Sequence, residues 1–250
     1  MGIATLHPSY ALPINGLIMT VIASNLQAVN EVIAQAVSMA QRSRDEVMLL
    51  AVSKTFPAAV VRAAYQAGQR AFGESYLQEA LDKIEALSDL PLQWHFIGPI
   101  QSNKTRAIAE HFSWVHSVDR LKIAERLSEQ RPANLPPLNV CIQVNVSGEA
   151  SKGGVAPEGL AQLAQAVAKL PGLTLRGLMA IPAPVYNEEE QRRPFARLRE
   201  LKRQLETQGL TLDTLSMGMS DDMEAAVRQG ATIVRIGTAI FGKRSSGEIK

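Results

Sequence analysis

Three short stretches carry residue types that could do chemistry together. The first is Met48-Leu-Leu-Ala-Val-Ser-Lys54-Thr-Phe-Pro57, an apolar run that stops on a lysine. A run this short, closed by proline, reads as a buried strand followed by a turn and a helix. An amine at the mouth of a buried strand loses part of its hydration. Desolvation favours the neutral amine, the form that attacks carbonyl carbons to make Schiff bases. The second stretch is Ser216-Met-Gly-Met-Ser220-Asp221-Asp222. There a glycine after a strand lets backbone approach a ligand, and Ser220 is placed to cap a helix whose N–H groups suit a phosphate. The third is Arg235-Ile-Gly237-Thr238, which offers backbone N–H groups, a hydroxyl and a guanidinium at another strand end. A buried guanidinium needs an acceptor, for which a pyridine nitrogen or a facing carboxylate would serve. Taken singly, these stretches read as a strand-capping lysine that snorkels to water and two ordinary turns.

The elements that must position them repeat strand then helix about eight times. Strands are predicted at 48–54, 70–74, 94–98, 114–118, 139–146, 173–181, 212–217 and 232–236. Helices are predicted at 25–42, 58–67, 76–87, 101–111, from a cap at Asp119, at 157–170, around the Phe195, Leu198, Leu201 and Leu205 stripe, and at 221–229. The acidic run Glu188-Glu-Glu190 reads as a solvated helix start. This rhythm, with no break in composition, predicts a single α/β domain, a parallel (β/α)8 barrel of the TIM type. An open doubly wound sheet is the runner-up; no G-x-G-x-x-G follows a first strand and no P-loop is present. In a barrel, function lies at the C-terminal strand ends, and the loops after strands seven and eight form the usual phosphate site. Lys54 opposite those two loops points to a phosphorylated carbonyl compound held as an imine.

Composition removes other classes. The chain has 250 residues, 46% hydrophobic, with 26 basic and 24 acidic side chains and a formal charge of +2. That balance gives no argument for nucleic acid or a membrane surface, and no run is long enough to span a bilayer. Cys141 is the single cysteine, which rules out a multi-cysteine metal site within one chain and fits a reducing cytoplasm. His95 and His116 lie on strands three and four and no H-E-x-x-H occurs, so no zinc site is expected. Lys104 and Lys152 read as surface charges, and residues 147–154 as a Gly/Ser-rich lid. Residues 1–22 read as an extension or disordered arm, 23–244 as the barrel and 245–250 as a tail.

The same residues carry a family resemblance. Ala51-Val-Ser-Lys-Thr55, Phe72-Gly-Glu74 with Tyr76, His95-Phe-Ile-Gly98 with Gln101-Ser-Asn-Lys104, Gln143-Val-Asn145, Ser216-Met-Gly-Met-Ser-Asp-Asp222 and Arg235-Ile-Gly-Thr238 are spread through the chain. Together they resemble the pyridoxal-phosphate homeostasis (YggS-like) family. The resemblance implies a barrel similar to the N-terminal domain of alanine racemase, with pyridoxal 5′-phosphate (PLP) on Lys54. It also implies phosphate contacts from Ser220, Gly237 and Thr238, and Arg235 near the pyridine nitrogen. One departure is Ser75, where the family usually has asparagine; the shorter side chain offers one hydroxyl in place of an amide.

The function implied is intracellular PLP (vitamin B6) homeostasis by a cytoplasmic monomer. It would hold the cofactor as an aldimine on Lys54 and pass it to PLP-dependent apo-enzymes, without turnover. The alternative is a PLP-dependent amino-acid racemase of the same fold. Such enzymes add a β-rich domain, and this sequence stops a few residues after its last predicted strand, so no such domain is expected. An arginine beside the pyridine nitrogen also leaves the ring unprotonated and a poorer electron sink. A third reading, a sugar-phosphate barrel enzyme with Lys54 as nucleophile, predicts a colourless protein.

Overall fold

The computed structural model describes residues 12–149, 153–185 and 187–243. Eight parallel strands close into a barrel in sequence order. They are β1 (Met48–Val52), β2 (Ala71–Glu74), β3 (Gln93–Phe96), β4 (Trp114–Val118), β5 (Leu138–Gln143), β6 (Leu173–Met179), β7 (Thr214–Ser216) and β8 (Ile233–Ile236). Closure is made by β1 on β8, with Leu50 opposite Arg235. The predicted barrel is therefore the observed one, and the open sheet is excluded.

Alternation along each strand sorts side chains between two cores. Leu50, Ala71, Trp114, Cys141, Met179 and Ile233 form the plug inside the barrel. Their strand neighbours, such as Leu49, Ala51 and Phe72, join the larger layer between sheet and helices. Burial on both faces is why the strands read as near-continuous apolar runs. Cys141 is fully buried in the plug, where desolvation pushes its thiol up to about 12.

The helices are α1 (Leu12–Met39), α2 (Ala58–Gln66), α3 (Leu77–Ala86), α4 (Thr105–His111), α5 (Leu121–Gln130), α6 (Pro157–Val167), α7 (Glu188–Thr207), α8 (Met223–Arg228) and α9 (Thr238–Phe241). Helix α1 starts well before the expected residue 25, so part of the predicted N-terminal arm is helical. Its stripe of Ile22, Leu26, Val29, Ile33 and Val37 is buried at helical spacing, against α2, α8 and α9. The acidic run opens α7, and Asn187 caps it by accepting from the backbone N–H groups of Glu189 and Glu190.

Two predicted caps are not made. Asp119 pairs with the Arg120 guanidinium, and α5 begins after Arg120 without a side-chain cap. Ser220 lies in a turn ahead of α8, whose N-cap is Asp222. Among the described residues, no helix is long and apolar enough to cross a membrane, and no cluster of His, Cys, Asp and Glu could hold a metal.

Candidate functional site

The C-terminal mouth of the barrel opens into a cavity of about 490 Å³, within the range of small-molecule sites. All five residues singled out in the sequence line it: Lys54, Ser220, Arg235, Gly237 and Thr238. Ser220 follows β7, Arg235 lies in β8, and Gly237 and Thr238 follow it; closure of β8 on β1 brings Lys54, far away in sequence, beside them. Lys54 follows β1 by two residues. Alternation puts it on the same side as Leu50, the barrel interior, whereas Ser53 faces the helical layer.

The loop after β7 is shaped by Gly218, whose φ is +95°. A Cβ built there would lie 2.6 Å from the Ala226 Cβ of α8, so the loop hugs the helix as no other residue would allow. The Asp222 carboxylate closes this turn by accepting the Met219 N–H at 2.5 Å. Gly218→Ala is expected to destabilise the fold by about 2–4 kcal/mol, from left-handed strain plus overlap with α8. Urea unfolding measures it; a midpoint equal to wild type would show that the loop is not held as described.

Gly237 is the N-cap of the four-residue α9 and sits 3.1 Å, by its built Cβ, from the Val52 carbonyl oxygen of β1. Phe56 and Phe241, with ring centroids 5.2 Å apart, pin the loop after β1 to α9. Phe56, Ile97, Ile181 and Met219 give the cavity an apolar wall, and Ser75 also lines it.

Arg235 is 4% exposed at the floor of the cavity. Burial brings its pKa down to about 10, which leaves the guanidinium charged at neutral pH. Two of its N–H groups have acceptors within the protein: Nη1 donates to Ser216 Oγ and Nη2 to the Ala180 carbonyl, each at 2.9 Å. The chain continues beneath it. Ser216 Oγ is 2.7 Å from His116 Nδ1, and His116 Nε2 is 2.9 Å from His95 Nδ1. His95 stacks on Trp114 at 5.4 Å. Both imidazoles are completely buried, and desolvation lowers their pKa values, that of His95 to about 3. They are neutral, and the chain supports the cation by hydrogen bonding without adding charge.

This chain is the part of the site that sequence reasoning missed. Ser216 belongs to the motif after β7, but nothing local in the sequence marks His95 and His116 as its partners. The available signal was alternation, which puts His95 on the same side as Ile97, and so into the barrel. Lys104 lies at the end of a short 3-10 turn outside the cavity lining. Lys152 lies outside the described residues, as does part of the predicted lid.

The donor set suits a small, flat, anionic aldehyde. The cavity is lined by an amine-bearing residue, Lys54, by the hydroxyl-bearing Ser220 and Thr238, by Gly237, and by the buried Arg235. A closed eight-stranded parallel barrel of this kind is also the fold of alanine racemase. The family model described as "Alanine racemase, N-terminal domain" matches residues 24–245, so this is a barrel of that class. The structure of alanine racemase from Corynebacterium glutamicum superposes with a TM-score of 0.68 at 18% identity, covering 93% of this chain and 63% of that one, a likeness of fold alone.

Within that class the match is much closer. The chain is 67% identical over 229 residues to the "Pyridoxal phosphate homeostasis protein" of Pseudomonas aeruginosa, covering 92% of this chain and 98% of the relative. PipY of Synechococcus elongatus, solved with PLP bound, superposes with a TM-score of 0.77 at 39% identity, covering 88% of this chain and all of that one. The chain belongs to the pyridoxal phosphate homeostasis protein family.

Proposed function

We propose that this protein binds PLP in the mouth of the barrel and serves intracellular PLP homeostasis. The observation that carries the reading is the convergence of Lys54, Ser220, Arg235, Gly237 and Thr238 on one cavity. PLP supplies an electrophilic aldehyde carbon at one end and a phosphate at the other. Lys54 is the amine that would hold the aldehyde carbon. Ser220, Thr238 and the N–H of Gly237 would hold the phosphate, and Arg235 would face the pyridine nitrogen. Membership of the family supports this, as does the PLP bound to PipY.

The reading extends to a PLP-binding unit over residues 23–244 that acts as a cytoplasmic monomer and passes PLP to apo-enzymes. It favours binding over turnover. A charged arginine at the ring nitrogen opposes its protonation, and an unprotonated ring is a weak electron sink.

The test is the visible spectrum of purified protein given one equivalent of PLP, with and without borohydride. A yellow protein whose colour is lost on reduction, with one pyridoxyl group fixed to the peptide carrying Lys54, is the expected result. Incubation with L- and D-alanine is expected to leave each enantiomer unchanged. Sustained racemisation that disappears in Lys54→Ala would establish the racemase reading instead.

A further inference from the structure

Behind Lys54, in the layer between the barrel and its helices, lies a buried ionic cluster that the cavity does not touch. Lys83 on α3 is 4% exposed, and Glu74 at the end of β2 is fully buried. The Lys83 ammonium has three N–H donors, and each has an acceptor. Nζ donates to Glu74 Oε1 at 2.8 Å, to Glu79 Oε1 at 2.5 Å and to the Ser53 carbonyl at 2.8 Å. Glu74 Oε1 also accepts the Ser53 hydroxyl at 2.6 Å, and Glu79 Oε1 also accepts the Thr55 N–H at 2.6 Å.

Ser53 and Thr55 flank Lys54. The Ser53 carbonyl belongs to the peptide group before Lys54, and the Thr55 N–H to the one after it. Both are therefore held by the cluster. The second hold opposes strain: Thr55 has φ +70°, a left-handed conformation that a β-branched residue adopts only when its surroundings enforce it.

A cluster kept only for stability has no need of this arrangement, since a buried ion pair is often no better than apolar packing of the same volume. We propose that Glu74, Glu79 and Lys83 are positioning residues for Lys54: they clamp both of its peptide groups and so present its amine to the cavity for capture of an aldehyde. This rests on the PLP reading for the identity of that aldehyde. The clamp itself can be read without any ligand.

The experiment compares Glu79→Ala and Glu79→Gln with wild type. Glu79 is partly exposed on a helix, and alanine is a good helix former, so both variants are expected to fold. Gln retains an oxygen for the Thr55 N–H; Ala does not. Two quantities are read: amide hydrogen exchange at Thr55 in protein without PLP, and the affinity for PLP by absorbance with borohydride capture on Lys54.

Loss of a hydrogen bond to a charged group predicts about ten- to hundredfold faster Thr55 exchange and about ten- to hundredfold weaker capture in Glu79→Ala. Glu79→Gln is expected to stay within about threefold of wild type on both. Unchanged exchange in Glu79→Ala overturns the clamp. Faster exchange with wild-type capture overturns its role in presenting Lys54. Should wild type itself capture no PLP, the PLP reading fails, and the clamp stands or falls on Thr55 exchange alone.

Discussion

Lys54→Ala is expected to keep the fold, to give no yellow species with PLP and to incorporate no pyridoxyl group on reduction with borohydride. Residual binding should be at least about a hundredfold weaker, because in the proposed site only the phosphate and ring contacts would remain without the covalent bond. The substitution creates no buried vacancy in the packed core, since the Lys54 side chain lines an open cavity. Circular dichroism and the thermal midpoint are therefore expected to stay near wild type.

The complementary measurement removes the other end of the grip. Pyridoxal, which lacks the phosphate, is expected to bind the wild-type protein much more weakly than PLP, since the proposed contacts from Ser220, Gly237 and Thr238 would then have no anion to hold. Equal affinity for the two would break the assignment of the pocket after β7 and β8. Covalent labelling that persists in Lys54→Ala would place the reactive amine elsewhere.

The second large effect is on stability in acid, and it comes from the histidines beneath Arg235. His95 is fully buried and its pKa is lowered to about 3 by desolvation, against an ordinary value of 6.5. The sign follows from proton binding. Above pH 6.5 both folded and unfolded chains carry neutral His95, and no stability is lost. Below pH 6.5 the unfolded chain binds a proton that the folded chain refuses, so stability falls as pH drops and levels off only near pH 3.

The slope from one such group is about 1.4 kcal/mol per pH unit, and the full loss from His95 is roughly 3–6 kcal/mol. His116 is shifted in the same direction and adds to it. Domains of this kind are typically stable by about 5–15 kcal/mol, so the loss from His95 is a substantial share of the total. The raised pKa of buried Glu74 works the other way in that range, because the folded chain takes up that proton first. Urea unfolding at pH 7 and pH 4.5 measures the balance. In His95→Leu the drop between the two pH values is expected to shrink by about 3 kcal/mol. An unchanged drop would mean that the His95 imidazole is protonated inside the barrel.

Much of this molecule could be read before its coordinates. Its eight strands were placed to within a few residues, because burial on both faces leaves short apolar runs that turns and helices separate. The five pocket residues were legible because barrels collect their chemistry at one end of the strands, so that sequence position at a strand end becomes position in space. What escaped was set by partners distant in sequence. Ser220 is not a helix cap, since Asp222 takes that place. The start of α1 was missed because its first turns carry no strong periodic stripe, and its later stripe gains meaning only against α2, α8 and α9.

The ionisable groups show the division most clearly. Lys83 four residues after Glu79 has the spacing of an exposed helical ion pair. Only packing of α3 over the ends of β1 and β2 buries it and turns it onto the Ser53 carbonyl. The chain from Arg235 through Ser216 and His116 to His95 joins β8, β7, β4 and β3, and no local pattern links residues one hundred positions apart, as His116 and Ser216 are. The order of apolar, small and polar residues along the chain determined the barrel and the end at which it works. Closure of that barrel decided which buried charges meet, because a charge taken out of water must find its partner in three dimensions.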